Sequence, residues 1–160
     1  MYDEHVQEVT DKIDDLKNKV EDRLDVAGCA FDRVRRAQER YEMLFSRATG
    51  VNGIDYASKG KYGCKIDTSY GSADDVLVEM LEAEEEYKNA MDDYAKARQD
   101  LVSLVESAHL NDAEQRVMYL RHMYGDYPSF EVIARRCGCK DRYGAWYLYK
   151  KGFIKIAKVV

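Results

Sequence analysis

The sequence predicts an all-α protein in which a long antiparallel helical hairpin, coiled-coil-like, precedes a C-terminal module of three short helices. Apolar residues recur at alternating three- and four-residue intervals near residues 2–48 and 72–109, which is typical of supercoiled helices. Residues 1–110 carry 15 Lys/Arg against 25 Asp/Glu, whereas residues 111–160 carry 10 against 5. We therefore expect an acidic hairpin over 1–110 and a basic module over 111–160.

The first long segment, residues 2–48, is predicted to be a single helix. Leu24, Phe31 and Phe45 widen its apolar face, and Arg23 is the polar interruption of the seam. The seven-residue register that defines this seam consists of Val6, Ile13, Val20, Ala27, Val34 and Tyr41. Such a repeat indicates packing against another helix of the same period.

The second long segment, residues 72–109, is predicted to be the other arm of the hairpin. Ser72 is a suitable N-cap for it, and Glu84 and Arg98 interrupt its seam. The predicted seam consists of Leu77, Met80, Tyr87, Met91, Tyr94, Leu101, Val105 and Ala108. The matching periods favour an antiparallel pair, and they also favour a homodimer through the long helices.

The connection between the arms, residues 49–71, holds five of the ten glycines and has no helical period. Because this connection contains lysines and tyrosines, one interpretation is a loop that contacts a binding partner. A flexible connector is the simpler one, because connections of this length are usually either functional or mobile.

Three short helices are predicted after residue 110. Asn111 followed by Glu114 forms a capping-box pattern at the start of the first. Ser129 is expected to cap a second helix from Phe130 to about Cys137. Gly138 then supplies a left-handed turn, and the third helix starts near Lys140 and continues past residue 153.

Residues 130–139 have the spacing of a helix-turn-helix, in which the small Ala134 allows the next helix to pack closely. That next helix interleaves basic and aromatic residues, which suits a DNA major groove. The residues predicted nearest the bases are Arg142, Tyr143, Trp146 and Lys150. Those predicted at phosphates are Ser129, Arg135, Arg136, Lys140 and Lys151; Ser129 is included because helix N-termini favour phosphate.

Residues 112–121 and 129–134, followed by Gly138, resemble region 4 of bacterial sigma factors, and residues 147–156 resemble the tail of that domain. The layout of the chain is similar to small phage transcriptional regulators of the RinA/ArpU kind. The resemblance implies a sequence-specific regulator that binds double-stranded promoter DNA in the cytoplasm of a bacterial host. RNA polymerase is the further partner that it implies.

Other functions are disfavoured by the sequence. Cys137 and Cys139 lack a second close cysteine pair for zinc, and no phosphate-cradling glycine motif is present. We therefore expect no enzyme activity, no metal and no cofactor. No apolar run approaches the roughly 20 residues of a membrane span. The acidic N-terminus does not resemble a signal peptide, so the four cysteines are expected to be thiols in the cytoplasm.

Two alternatives remain open at this stage. A phage small terminase subunit also joins a helix-turn-helix to coiled-coil helices, but it forms a ring and its recognition module usually comes first. A coiled-coil interaction protein without any nucleic-acid role would show no DNA affinity, even at low salt.

Overall fold

The computed structural model describes residues 2–49 and 73–160, with side chains from residues 6 and 74 onward, and this part of the chain is entirely α-helix and turns. The prediction of an all-α protein is confirmed. The helices are α1 (Tyr2–Ala48), α2 (Ala73–Ser107), α3 (Asp112–His122), α4 (Phe130–Cys137) and α5 (Arg142–Ala157). The cap predicted at Ser72 and most of the predicted loop 49–71 lie outside the described residues.

The described residues belong to two compact units, one comprising Met1–Asp32 with Asp93–Val160 and the other Arg33–Asp92. In the first unit, α1, α2, α3 and α5 share one core of buried residues: Val20, Leu24, Ala27, Ala30, Ala97, Leu101, Val105, Ala108, Leu110, Met118, Met123 and Ile156. Phe31 packs edge-on against Tyr94 at 5.3 Å between ring centroids. The end of the α1 segment therefore meets the start of the α2 segment, as in an antiparallel pair. The predicted domain boundary after residue 110 stays a prediction.

The seams differ from the prediction at the positions where a polar residue was expected to interrupt them, because an apolar neighbour is buried there instead. On α2 the buried positions are Ala83 and Ala97, one residue before Glu84 and Arg98. On α1, Leu24 is fully buried and takes the place predicted for its polar neighbour. The small alanine side chains allow neighbouring helices to approach closely, so the packing selects them over the larger charged residues beside them.

Several predicted seam residues are exposed. On α1, Ile13 is 61% exposed, and Val6 is also exposed. On α2, Leu77 and Met91 are exposed. These seam residues are therefore not covered by the described part of the single chain, and the homodimer predicted through the long helices stays a prediction. The heptad pattern shows which residues share a helix face, but it does not show whether a partner covers that face.

The second unit contains the end of α1 and the start of α2. Val34, Ala37, Leu44 and Ala83 are buried in it. Arg40 of α1 forms an ion pair with Glu86 of α2, and both side chains are substantially exposed. An exposed pair of this kind adds little stability, so the buried apolar residues account for most of the packing.

The first unit also buries two ionisable side chains. His122 is 4% exposed, with Nδ1 2.8 Å from Asp25 of α1 and Nε2 3.2 Å from the Tyr149 hydroxyl of α5. Glu114 is 2% exposed and accepts a 2.6 Å hydrogen bond from Lys155. These polar contacts join elements that are distant in sequence, and they fix how α5 is oriented within the first unit.

The turn after α3 lies directly on α1 at Gly28. A β-carbon on Gly28 would lie 2.9 Å from the His122 carbonyl oxygen and 2.9 Å from the Tyr127 hydroxyl. The same β-carbon would lie 3.3 Å from the Gly125 Cα. Gly125 itself has φ +67°, a conformation that favours glycine. Glycine within a helix is destabilising relative to alanine, but at Gly28 it permits this close approach.

Candidate nucleic-acid interface

The caps of the C-terminal helices set the geometry of the site. Asn111 and Glu114 form a reciprocal capping box at the start of α3, as predicted. The Ser129 side chain accepts the Val132 N–H at the start of α4, and Gly138 ends α4 with φ 69°, also as predicted. Asp141 caps α5. The helix α5 consequently begins at Arg142, two residues after the start predicted near Lys140.

A small second core holds α3, α4 and α5 together. Val117, Ile133, Ala134 and Ala145 are buried in it, and partly buried side chains pack around them: Leu120, Phe130, Cys137, Cys139, Leu148 and Tyr149. Burial raises the pKa of the Cys137 thiol, which keeps it protonated and lets it behave as a small apolar residue. Ile133, Cys137 and Cys139 thus pack towards this core, as the helix-turn-helix spacing predicts.

Arg121 fixes the turn between α3 and α4. Its Nη1 atom donates hydrogen bonds to the carbonyl oxygens of Tyr127, at 2.9 Å, and Pro128, at 2.7 Å. Its guanidinium also lies 5.3 Å from the centroid of the Phe130 ring. Tyr127 has φ 39°, a strained backbone conformation for a residue with a side chain. The contacts of Arg121 therefore stabilise the turn that presents Ser129.

The outer face of α5 is aromatic and basic. Tyr143, Trp146 and Tyr147 are 63%, 45% and 55% exposed. Each is paired with a cation: Arg142 with Tyr143 at 4.8 Å, Lys150 with Trp146 at 5.1 Å and Lys151 with Tyr147 at 4.6 Å. The inner face carries Ala145, Gly152 and Ile156, which are buried. This separation leaves a continuous surface of stacked cations and rings on the solvent side of α5.

The site residues predicted from the sequence are all exposed in the structure. Arg142, Tyr143, Trp146, Lys150 and Lys151 lie on α5; Arg135 and Arg136 lie on the last turn of α4. Ser129 caps α4, and Lys140 lies in the turn between α4 and α5. Arg135 is ion-paired with Glu131 at 2.5 Å, so part of its charge is neutralised by a neighbour on the same helix.

Tyr147 is a surface residue that the site prediction omitted. It lies four residues after Tyr143 and three before Lys150, and residues at these spacings share one helix face. This periodicity could have identified it, but the run of four large apolar side chains from Trp146 to Tyr149 left open which of them face the core.

Two depressions flank the start of α5. The first, of about 320 Å³, is lined by Phe130, Arg142, Tyr143 and Trp146. The second, of about 450 Å³, lies on the α4 side and is lined by Glu131, Ala134, Arg135, Cys139, Lys140, Asp141, Arg142 and Tyr143. Arg142 and Tyr143 border both depressions, so this stacked pair forms the ridge between an aromatic groove and a polar one.

Among the residues that the structure describes, no group of three or more His, Cys, Asp or Glu side chains is placed to hold a metal ion. Cys29, Cys137 and Cys139 are free thiols. None of the described helices combines the length and apolar character that crossing a bilayer requires.

Comparison of the chain with protein-family models, with curated proteins and with solved structures gave no significant match. The function is therefore argued from the geometry of α4, α5 and the turn between them.

Proposed function

We propose that this chain is a sequence-specific, double-stranded DNA-binding transcriptional regulator of a phage or prophage, with a sigma region 4-like helix-turn-helix formed by α4 and α5. The observation that carries the proposal is the outer face of α5, where three cations stack on three exposed aromatic rings. Such a face brings positive charge to phosphates and large side chains to base edges. The proposed role is not enzymatic and requires neither a metal nor a cofactor.

The local electrostatics support the proposal. Residues 111–160 have twice as many Lys/Arg as Asp/Glu, although the whole chain is acidic. Arg135, Arg136, Lys140 and Arg142 lie within one short stretch around the turn between α4 and α5. Ser129 marks the N-terminus of α4, where backbone N–H groups favour a phosphate oxygen. A duplex seated on α5 would meet these charges on the flanking backbone.

The wider assignment rests on the sequence resemblance. It gives RNA polymerase as a further partner and the cytoplasm of the bacterial host as the compartment. The exposed apolar residues at the start of α1 are the observation that favours a role in protein association, and the homodimer predicted through the long helices would use this face.

The direct test is fluorescence anisotropy of a labelled random 30-base-pair duplex titrated with the full chain over a series of salt concentrations. We expect log affinity to fall linearly with log salt concentration because each neutralised phosphate releases counterions. The variant Arg142→Ala/Lys150→Ala is expected to lower the slope by up to about 2, because it removes two positive charges from the face of α5 that is proposed to meet the duplex. The variant Lys12→Ala/Lys88→Ala removes the same charge from the long helices and is expected to leave the slope unchanged.

Absence of binding by the full chain at low salt would contradict the proposal and favour the coiled-coil interaction protein. An equal loss of slope in both double variants would show a general charge effect rather than a site on α5. The oligomer mass from sedimentation equilibrium separates a dimer from the ring expected of a DNA-packaging adaptor.

A further inference from the structure

The aromatic groove beside α5 has a composition unlike the rest of the basic surface. Its walls are the rings of Phe130, Tyr143 and Trp146, and Arg142 borders it. Phe130 is held in place by Tyr149, at 5.3 Å between ring centroids, and by Arg121, at 5.3 Å. The groove therefore has one wall fixed by the module's own packing and another formed by the exposed face of α5.

The position of the groove relates it to DNA. One wall, Phe130, directly follows Ser129, the N-cap of α4, where a phosphate is expected. The other wall, Trp146, lies on the exposed face of α5, where base edges are expected. A duplex seated on α5 would thus place the groove between its backbone and the nearest base edges, on the side of the major groove.

The walls select among the groups that the major groove presents. Every base edge there displays hydrogen-bond donors or acceptors, and thymine alone adds an apolar C5-methyl group. The surface that lines the groove is almost wholly apolar, so it offers no hydrogen-bond partner to a polar base atom, and burying such an atom without a partner is costly. A methyl group loses nothing on transfer and gains contacts with the rings, while Arg142 at the border attracts the adjacent phosphate or a guanine acceptor.

We propose that the groove formed by Phe130, Tyr143 and Trp146 is a binding site for thymine C5-methyl groups and that it gives this protein a preference for thymine at the base steps facing the start of α5. The inference rests on the proposed function, since it requires a duplex bound to α5. It adds a specificity determinant whose basis is apolar contact rather than hydrogen bonding.

The experiment starts from a duplex selected from random sequence by repeated binding to the full chain. Each thymine of the selected site is then replaced, one at a time, by deoxyuridine, which removes only the methyl group. At one or two positions we expect affinity to fall about fourfold, the value of burying one methyl group. Trp146 is the single tryptophan of the chain, so its fluorescence should change on binding the thymine duplex and change less with the deoxyuridine duplex.

Two variants connect the effect to the groove. In Trp146→Ala the affinity ratio between the thymine and deoxyuridine duplexes should fall to about 1, because the wall is gone. In Tyr147→Ala the ratio should be retained, since Tyr147 is exposed on the same helix but does not line the groove. Trp146→Phe keeps a ring at this position and should keep a ratio above 1, and helical circular dichroism confirms that each variant folds.

Equal affinity for thymine and deoxyuridine duplexes at every position would overturn the inference while leaving DNA binding intact. A ratio that persists unchanged in Trp146→Ala would also overturn it, because the methyl effect would then arise elsewhere or from the duplex itself. If no duplex binds at low salt, the proposed function and this inference fail together, and a groove that then serves a protein partner is the remaining interpretation.

Discussion

His122 Nδ1 lies 2.8 Å from Asp25 Oδ1, and this contact joins the end of α3 to α1 within the first unit. The opposite ring nitrogen of His122 lies 3.2 Å from the Tyr149 hydroxyl of α5. Burial lowers the pKa of His122, and the hydrogen bond and charge of Asp25 oppose this effect. Burial also raises the pKa of Tyr149 to about 12. At neutral pH the imidazole of His122 is therefore neutral, and it lies between the Asp25 carboxylate and the Tyr149 hydroxyl, within hydrogen-bonding distance of both.

The lowered pKa of His122 predicts a loss of stability in acid. The unfolded chain takes up the proton near the ordinary pKa of about 6.5, before the folded chain does. The contribution of His122 is therefore fully present above that pKa and is lost as pH falls towards the folded value, by at most about 1.4 kcal/mol per pH unit. Urea midpoints between pH 7.5 and 5.5 should fall more steeply for the native chain than for His122→Gln. Equal slopes would contradict a neutral buried histidine.

Gly28→Ala is expected to destabilise the fold, although alanine is the better helix former. The intrinsic gain in a helix is about 1 kcal/mol, whereas the new β-carbon would lie 2.9 Å from the His122 carbonyl oxygen. Relieving that overlap requires the turn to shift, which costs roughly 1–3 kcal/mol. The matched control is Gly144→Ala on α5, where the nearest atom would be at 3.6 Å. Denaturant midpoints that rise for both variants would refute the close packing at Gly28.

Lys155→Met should weaken the fold through Glu114. The buried Glu114 carboxylate accepts bonds from the Lys155 ammonium at 2.6 Å and from the Asn111 N–H at 3.1 Å. Burial works to raise the pKa of Glu114, but these bonds outweigh it and lower the pKa. Loss of the ammonium leaves a poorly compensated carboxylate, at a cost of about 1–3 kcal/mol.

The exposed Lys158 provides a control for this substitution, because Lys158→Met removes the same charge beyond the end of α5. It should change the unfolding free energy by less than about 0.5 kcal/mol. Adding Glu114→Gln to Lys155→Met should restore part of the loss, because the charge that needed a partner is removed. If the double variant loses more unfolding free energy than the two single variants lose together, the result would contradict the pairing of Lys155 with Glu114.

A buried and an exposed apolar residue of α1 should respond differently to truncation. Leu24→Ala opens space in the core of the first unit and is expected to cost about 2–5 kcal/mol at any protein concentration. Ile13→Ala changes a side chain that is 61% exposed, and it should barely alter the stability of the single chain. If α1 associates with a second copy, Ile13→Ala should lower the apparent mass in sedimentation velocity while Leu24 variants that remain folded do not.

Much of the fold follows from periodicity and caps. The alternating apolar spacing predicts α1 and α2 within about two residues of their bounds, and the cap residues Asn111, Ser129 and Gly138 mark the short helices. The spacing did not predict which of two adjacent residues is buried in the seam. Leu24 rather than Arg23, and Ala97 rather than Arg98, are buried because the final rotation of each helix is set by the tertiary packing around it.

The sequence predicted which residues of the candidate interface are exposed, but it did not predict the groove beside them. Exposure of Arg142, Tyr143, Trp146 and Lys150 follows from a helix whose opposite face must bury small and apolar residues. Each cation pairs with a ring on the same helix, at adjacent or i,i+4 positions of α5. The groove against Phe130, by contrast, depends on how α4 crosses α5. Long-range polar contacts such as His122 with Asp25 leave no local signal, since the two residues lie on separate segments.

The core of the first unit has a consequence for how the chain folds. Val20 and Leu24 share that core with Ile156, so residues made early in synthesis complete their packing only when the last helix has emerged from the ribosome. Closing so long a loop carries an entropic cost that local helix formation does not. The helix α5 thus completes the core of the first unit, and the proposed DNA-binding face forms only after α1 and α5 have packed together.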